Sequence, residues 1–167
     1  MEKTINSNLI FQGKVVSLKV DTVLINEHIS KREVIEHNGG VCIAIKKDDK
    51  FAIVKQYRYA LKQYMLEFTA GKLEKDEYIN EAVLREANEE TGYTIENLEY
   101  VGKIHPSCGY LTEVIHLFKG DAIDFVGQNF DEGEDIEVKW FTKKEIDQMI
   151  RSGEISDAKT IALAYFL

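Results

Sequence analysis

Alternating apolar and polar residues predict antiparallel strands near the start of the chain. From Val15 to Ile25 and from Lys31 to Glu36, apolar side chains tend to recur at every second position, which is the period of a half-buried strand. Asn26 to Ser30 is expected to form the turn between them. The pattern predicts a small N-terminal antiparallel sheet, which the composition break at Asn38-Gly39-Gly40 separates from the rest of the chain.

After this break, short apolar runs and turn residues predict further strands and two or three helices. The strands are expected at Val41–Ile45, Phe51–Tyr57, Tyr64–Phe68, Leu98–Ile104, Glu113–Phe118 and Ile136–Phe141. Thr142 and Glu145 have the spacing of a capping box, which predicts a helix ending near Gly153. The apolar segment Asp157–Leu167 predicts a last helix. Strands interleaved with helices in this order indicate an α/β sandwich with a mixed sheet.

The segment from about Asp76 to Thr91 predicts a helix with an unusual acidic face. Apolar residues such as Ile79 and Val83 define one face at helical spacing, and Glu86 and Glu90 continue that spacing. Carboxylates four residues apart repel by a few tenths of a kcal/mol, and partial burial increases this cost several-fold unless a cation neutralises them. A solvated acidic helix face is the alternative interpretation. A bound divalent cation would account for both carboxylates, because Mg²⁺ and Mn²⁺ prefer oxygen ligands.

Arg85 is the cation closest in sequence to these carboxylates. It precedes Glu86 and stands four residues before Glu89, so its guanidinium is expected to orient Glu89. Glu86 and Glu90 would then stay free for a metal ion. Gly92 follows at the position where a left-handed C-cap is expected.

With Gly71 and Glu77 upstream, this helix resembles the signature of the Nudix hydrolase family. The signature is a glycine, a glutamate six residues later, and then REuxEExGu, in which u is an aliphatic or bulky apolar residue. The matching residues are Gly71, Glu77, Arg85, Glu86, Ala87, Glu89, Glu90, Gly92 and Tyr93. Ala87 is smaller than the usual residue at its place. The resemblance implies a Nudix-type α/β/α sandwich with a mixed sheet, in addition to the small N-terminal antiparallel sheet.

The resemblance also implies a divalent metal ion held by oxygen ligands. The implied ligands are the carboxylates of Glu86 and Glu90 and the backbone carbonyl of Ala70, and the implied ion is Mg²⁺, with Mn²⁺ as the alternative. Glu89 and Arg85 are implied as catalytic residues beside them. An ion in this place would neutralise phosphate charge and lower the pKa of an attacking water.

Three stretches outside the signature extend the resemblance to the ADP-ribose pyrophosphatase branch of the family. They are residues 13–21, 32–37 and 56–59, so the likeness covers almost the whole chain. The branch implies that residues 1–39 form an N-terminal sheet exchanged between the two subunits of a homodimer. It implies residues 40–167 as the Nudix catalytic domain.

Four residues match substrate-binding positions of this branch: Arg32, Arg58, Glu67 and Glu113. Arg58 is implied to contact a phosphate or the adenine, and Arg32 to reach the nucleotide from the N-terminal sheet. For Arg32 the alternative is a cation on the strand surface. For Glu67 it is a buried hydrogen-bond acceptor.

The implied reaction is hydrolysis of the pyrophosphate bond of ADP-ribose to AMP and ribose 5-phosphate. The general base is expected on the loop Asn129–Asp135, where Glu134 aligns best with the branch and Glu132 second. A solvated acidic turn is the alternative for this loop.

One departure from the branch leaves the substrate open. Ser107-Cys108-Gly109 stands where the branch usually has Ser-Pro-Gly, a stretch associated with ADP-ribose specificity. A pyrophosphatase for another nucleoside diphosphate sugar is therefore an alternative function. A sensor that binds ADP-ribose without cleaving it is another, although such sensors typically lack motif acids that this chain retains.

The net charge and the cysteines limit the partners and the cellular compartment that we expect for this protein. The chain has 167 residues, a net charge of −8 and a pI near 5.1. Nucleic-acid-binding surfaces depend on many Lys and Arg contacts to phosphates, so the charge argues against such a surface.

Cys42 and Cys108 are far apart and outside any CxxC pattern, which is typical of a reducing compartment. The N-terminal segment lacks the apolar core of a signal peptide, and no apolar run approaches the ~20 residues of a membrane span. The sequence predicts a cytoplasmic protein without nucleic-acid or membrane partners.

Overall fold

The structure of the protein is a computed structural model that describes residues 1–130, 133 and 135–167. The described residues form two compact units, the first from Met1–Gly39 and His105–Val114, the second from Gly40–Ile104 and Ile115–Leu167. The strands are β1 (Lys3–Gln12), β2 (Ser17–Ile25), β3 (His28–Glu36), β4 (Gly40–Lys47), β5 (Lys50–Arg58), β6 (Gln63–Glu67), β7 (Thr69–Lys72), β8 (Tyr93–Ile104), β9 (Ile115–Phe125) and β10 (Ile136–Thr142). The helices are α1 (Ile79–Thr91), α2 (Lys143–Ser152) and α3 (Ala158–Ala164).

The first unit contains an antiparallel sheet with the strand order β1-β2-β3. The turn between β2 and β3 consists of Asn26 and Glu27, whose φ angles of 44° and 70° match the left-handed turns that favour tight hairpins. It is shorter than the expected Asn26–Ser30 turn because pairing already resumes at His28. Strand β1 is absent from the sequence expectations, since its ten residues are all exposed and do not alternate between apolar and polar.

The second unit contains a mixed sheet with the order β10-β5-β4-β9-β8, in which β6 pairs with β5 and β7 with β4. Strands β4 and β9 run parallel, from the pair Gly40 and Ile115 to the pair Lys46 and Asp121, and the other pairings are antiparallel. Residues 40–45 of β4 are buried without interruption, which is typical of a central strand covered on both faces.

Helices cover both faces of this sheet. On one face, α1 packs through small residues against alternate positions of β4 and their neighbours: Ala82, Val83, Ala87, Val41, Ile43, Ile45, Ala52 and Phe118. On the other face, α2 and α3 pack against the intervening positions: Ile146, Met149, Leu163, Ala164, Cys42, Ala44, Ile53, Phe68 and Leu117. The α/β/α sandwich with a mixed sheet and a small antiparallel sheet is therefore confirmed.

The helix ends differ from the expected ones where local backbone conformation decides them. Asp76 has a φ of 63°, which is left-handed and incompatible with a right-handed helix, so α1 begins at Ile79. For α2, Thr142 and Glu145 form the expected capping box, and the C-cap Gly153 has a φ of 81°. In the described part of the chain, every helix is too short or too polar to cross a bilayer.

Candidate active site

Helix α1 directs two carboxylates at strand β7. Glu90 is only 4% exposed, and the backbone N–H of Ala70 donates to its Oε2 at 3.3 Å. Glu86 lies against the next residue of the strand, because a Cβ added to Gly71 would stand 1.8 Å from Glu86 Oε1. Gly71 is thus required by the close approach of the Glu86 side chain. The two carboxylates therefore meet β7 at adjacent positions.

Hydrogen bonds tie the end of α1 to the segment that follows β9. Gly92 closes the helix with a φ of 76° and donates from its backbone N–H to Asn88 O at 2.8 Å. Further along the chain, Gln128 Nε2 donates to the carbonyl of Glu90 at 2.7 Å. The backbone N–H of Asn129 donates to the carbonyl of Glu89 at 3.0 Å. The start of the loop expected to supply a base is thus anchored to the acidic helix.

The two candidates for this base, Glu134 and Glu132, lie outside the described residues. Their assignment stays a prediction. The anchoring of Gln128 and Asn129 was not expected from the sequence, because neither a loop amide side chain nor a loop backbone N–H has a sequence pattern that reveals a distant partner.

Arg85 contacts more carboxylates than the sequence indicated. Its Nη1 donates to Glu89 Oε2 at 2.9 Å, as expected, and also to Glu86 Oε1 at 2.8 Å. Its Nε donates to Glu77 Oε1 at 2.8 Å, and its Nη2 to Glu77 Oε2 at 3.1 Å. The expectation that Glu86 stays free is therefore wrong: Glu77 lies before the helix, where its distance from Arg85 cannot be read from helical spacing.

The contacts of Arg85 change the ionisation of its partners. The hydrogen bond from Arg85 holds the pKa of the Glu77 carboxyl below its ordinary value. The same interactions raise the pKa of Arg85, first through Glu77 and then through Glu86 and Glu89. This guanidinium therefore stays charged and shares one positive charge among three carboxylates.

Arg58 and Glu67 form a second group of charges in the same unit. Arg58 Nε donates to Glu67 Oε1 at 2.7 Å and Arg58 Nη2 to Glu67 Oε2 at 2.8 Å, which is a bidentate ion pair. Lys159 of α3 also donates to Glu67 Oε2. Lys159 was not among the expected site residues. Its one distinguishing feature in the sequence is that it is the single cation of α3.

Arg32 and Glu113, the other expected substrate contacts, belong to the first unit. Arg32 lies on β3 and donates from Nε and Nη2 to the two carboxylate oxygens of Glu2, both at 2.9 Å. Glu113 precedes β9, and its Oε1 is 3.4 Å from His37 Nδ1. Both side chains are partly exposed.

The donor set around β7 fits a hard divalent cation. Across the described residues, no group of three or more His, Cys, Asp or Glu side chains is arranged to hold a metal ion. Glu86 and Glu90 nevertheless supply carboxylate oxygens beside the main chain of Ala70 and Gly71. Two carboxylates and a backbone carbonyl are a suitable partial set for Mg²⁺ or Mn²⁺, which commonly complete their coordination with water and substrate phosphate.

Comparison with known proteins identifies the family. The family model of the NUDIX domain matches residues 36–164. The chain belongs to the Nudix family. A methanol dehydrogenase activator of Bacillus methanolicus is 41% identical over 99% of this chain and 92% of its own length. An ADP-ribose pyrophosphatase of Bacillus subtilis (strain 168) is 38% identical over the same shares of the two chains.

More distant comparisons agree with this family. A GDP-mannose pyrophosphatase of Citrobacter koseri is 35% identical over 82% of this chain and 77% of its own length. A solved ADP compounds hydrolase has the same fold, with a TM-score of 0.88 over 98% of this chain and 90% of that chain, at 16% identity. The predicted Nudix hydrolase class is confirmed, and hydrolases of this family generally need a divalent metal ion.

The contact between Gly71 and Glu86 can be tested by adding one methyl group. Gly71→Ala should displace the Glu86 carboxylate and weaken Mn²⁺ binding by about 10-fold or more, since its orientation is lost. The helix itself should remain folded because only the end of a flexible side chain must move. Electron paramagnetic resonance titration of free Mn²⁺ measures this affinity.

Gly109→Ala is the matched control, because a Cβ at Gly109 meets nothing within 4 Å. It should bind Mn²⁺ as the wild type does. Unchanged Mn²⁺ affinity in a folded Gly71→Ala protein would show that Glu86 is not a metal ligand.

Proposed function

We propose that this Nudix protein hydrolyses the pyrophosphate bond of ADP-ribose and releases AMP and ribose 5-phosphate. The observation that carries the proposal is the convergence of Glu86 and Glu90 on Ala70 and Gly71, where a metal-bound pyrophosphate could be held. The identity to the ADP-ribose pyrophosphatase of Bacillus subtilis, 38% over 99% of the chain, supports this substrate.

The metal that we propose is Mg²⁺, with Mn²⁺ as the alternative. Glu86, Glu90 and the carbonyl of Ala70 would hold it. When bound, the ion supplies charge neutralisation for the pyrophosphate and acidification of the attacking water. Arg85 fixes the orientation of Glu86 and Glu89 through hydrogen bonds from one nitrogen, so the ligand carboxylate is positioned before any metal arrives.

Substrate recognition would depend on cations outside the acidic helix. Arg58 is held by Glu67 through one edge of its guanidinium and is 37% exposed, so a phosphate or the adenine could meet its other edge. Arg32 and Glu113 are proposed as further nucleotide contacts. The net charge of −8 makes such local cations necessary, because the surface as a whole repels an anionic substrate.

The general base is proposed to be Glu134, with Glu132 as the alternative. Asn129, which begins their loop, is bonded to α1 at Glu89, and Ile136, which follows it, pairs with Gln56 of β5. Both ends of a short loop are thus tied to the unit that carries the metal ligands. A carboxylate within hydrogen-bond reach of the attacking water would accept its proton.

We further propose a cytoplasmic homodimer. All ten residues of β1 are exposed, and they include apolar side chains at Ile5, Leu9, Ile10 and Phe11. Exposed apolar side chains grouped on one strand are typical of an interaction surface, so a second subunit is the proposed cover. Cys42 and Cys108 are both free thiols, which is consistent with a reducing compartment.

Two relatives favour additional candidates. GDP-mannose pyrophosphatases match 82% of the chain at 32–35% identity, which supports another nucleoside diphosphate sugar as the alternative substrate. The methanol dehydrogenase activator matches 99% at 41%, which supports activation of an alcohol dehydrogenase as a second function. Adding the protein to methanol dehydrogenase and following methanol oxidation tests the latter. The non-hydrolytic sensor is disfavoured, because the acidic residues of the motif are all present.

Glu90→Gln should remove nearly all Mg²⁺-dependent hydrolysis of ADP-ribose while the chain stays folded. The amide retains the shape of the buried side chain but loses the charge that the metal requires. Initial rates of AMP release, with circular dichroism as the folding check, measure the effect. Glu81→Gln is the control on the exposed side of the same helix and should leave the rate unchanged. Full activity in folded Glu90→Gln would end the metal-ligand assignment.

Glu134→Gln should lower kcat by ~10²-fold or more and leave KM nearly unchanged, because a general base acts mainly in the transition state. Glu132→Gln should have a much smaller effect and serves as the matched control two residues away. Steady-state kinetics with ADP-ribose measures both. The reverse order, with Glu132→Gln inactive and Glu134→Gln like the wild type, would reassign the base.

Sedimentation velocity at micromolar protein should give the mass of a dimer. Leu9→Asp should shift the protein toward monomer, because it places a charge in the apolar part of β1. Asn8→Asp, on the same exposed strand and opposite Val20, should have little effect. A compact, active wild-type monomer would contradict the proposed assembly.

A further inference from the structure

A buried charge cluster joins α3 to the end of β6. Glu67 is only 2% exposed, and its Oε2 accepts hydrogen bonds from both Lys159 Nζ and Arg58 Nη2. On its other side, Lys159 Nζ donates to Asp157 Oδ1 at 3.0 Å. The side chains of Lys159 and Asp157 are 13% and 17% exposed, so solvent screens these charges weakly.

The backbone fixes the position of this cluster from both sides. Asp157 Oδ2 caps α3 by accepting from the backbone N–H of Thr160 at 2.9 Å and from its hydroxyl at 2.6 Å. The backbone N–H of Phe68, the residue after Glu67, donates to Thr160 Oγ1 at 2.9 Å. Lys159 therefore lies between two carboxylates whose places are set by α3 and by the strand.

The contacts within this cluster favour the charged forms of Arg58, Glu67 and Lys159 by shifting the pKa of each group. Burial alone would raise the pKa of the Glu67 carboxyl, but Arg58 and Lys159 hold it below its ordinary value. Burial alone would lower the pKa of the Lys159 ammonium, but Glu67 and Asp157 keep it above its ordinary value. These four groups thus comprise two cations and two carboxylates that balance one another, and the buried carboxylate of Glu90 also interacts with Arg58.

Removing Lys159 would leave Arg58 as the only cation of this cluster beside Glu67 and Asp157. The cluster would then carry a net charge of −1, which disfavours an anionic ligand in a partly buried site. Glu67 Oε2 would also lose the partner that fixes the carboxylate plane. Because Arg58 bonds to both oxygens of this carboxylate, the direction of its guanidinium depends on that plane.

We propose that Lys159 is a positioning residue, which orients Arg58 through Glu67 and leaves the guanidinium charge available to the pyrophosphate of a nucleoside diphosphate substrate. The proposal rests on the proposed function, because it requires Arg58 to contact the substrate. A purely structural role for Lys159, as an anchor of α3, would lower stability without a specific effect on substrate affinity.

Charge-balance variants separate these two roles. Lys159→Met should raise KM for ADP-ribose about 10-fold and change kcat by less than about 3-fold, since Arg58 acts in substrate binding. Lys159→Arg should stay close to the wild type. Asp157→Asn retains a good N-cap for α3, and the double variant Lys159→Met/Asp157→Asn restores the charge balance but not the partner of Glu67, so it should recover only the part of the affinity that was lost through charge.

Lys143→Met is the matched control, because Lys143 forms a comparable pair with Asp147 at 2.7 Å on the more exposed α2. It should leave KM unchanged. Isothermal titration calorimetry with ADP-ribose and no divalent cation should rank the affinities of these variants in the same order, independently of turnover. If the wild type binds ADP-ribose but does not cleave it, the proposed hydrolysis fails while the role of Lys159 is still measured.

Two results would overturn the inference. One is wild-type affinity in a folded Lys159→Met protein. The other is a loss of affinity that Lys159→Arg does not restore and that follows the loss of thermal stability across all the Lys159 variants, which would assign Lys159 a structural role.

Discussion

The repulsion between carboxylates on α1 is the constraint on which the site depends. Glu77, Glu86 and Glu89 all bond to Arg85, and Glu90 lies buried on the next turn. Carboxylates brought this close together repel one another, and a bound divalent cation would reduce this repulsion. Gly71 makes the arrangement possible, because any side chain there would occupy the place of the Glu86 carboxylate. Folding therefore concentrates negative charge at strand β7, where Gly71 allows the close approach of Glu86.

The second charge cluster, formed by Arg58, Glu67, Asp157 and Lys159, differs from the first in its balance of positive and negative charges. Arg58 and Lys159 match Glu67 and Asp157 in number, so the charges of these four groups balance one another. Its effect is instead to hold a guanidinium by one edge, with part of the side chain exposed. Within one unit of the protein, the cluster rich in carboxylates is therefore the candidate metal site, and the cluster of balanced charges is the candidate contact for an anion. The second cluster also joins Glu67 to Lys159 across 92 positions of the sequence, and the packing of their elements restricts the freedom of these side chains.

Local patterns in the sequence predicted those features that local physics decides. The hairpin of β2 and β3, the capping box at Thr142 and the left-handed Gly92 each depend on residues close together in the sequence, and the structure contains all of them. Long-range partners could not be predicted in this way. Glu77 reaches Arg85 only because the turn before α1 includes the left-handed Asp76, and Gln128 reaches α1 across 38 residues of sequence. Strand β1 was not predicted because its residues are all exposed and therefore show no alternation of apolar and polar positions.

The central claim is that the acidic helix serves cleavage of a nucleoside diphosphate at its pyrophosphate bond, with ADP-ribose as the substrate. Chromatographic product analysis over a panel of nucleoside diphosphate sugars with Mg²⁺ tests it most directly. The account predicts that ADP-ribose gives equal amounts of AMP and ribose 5-phosphate, with the highest kcat/KM of the panel and no reaction after chelation of the metal. Cleavage of GDP-mannose in clear preference to ADP-ribose, or products that retain the pyrophosphate bond, would contradict it.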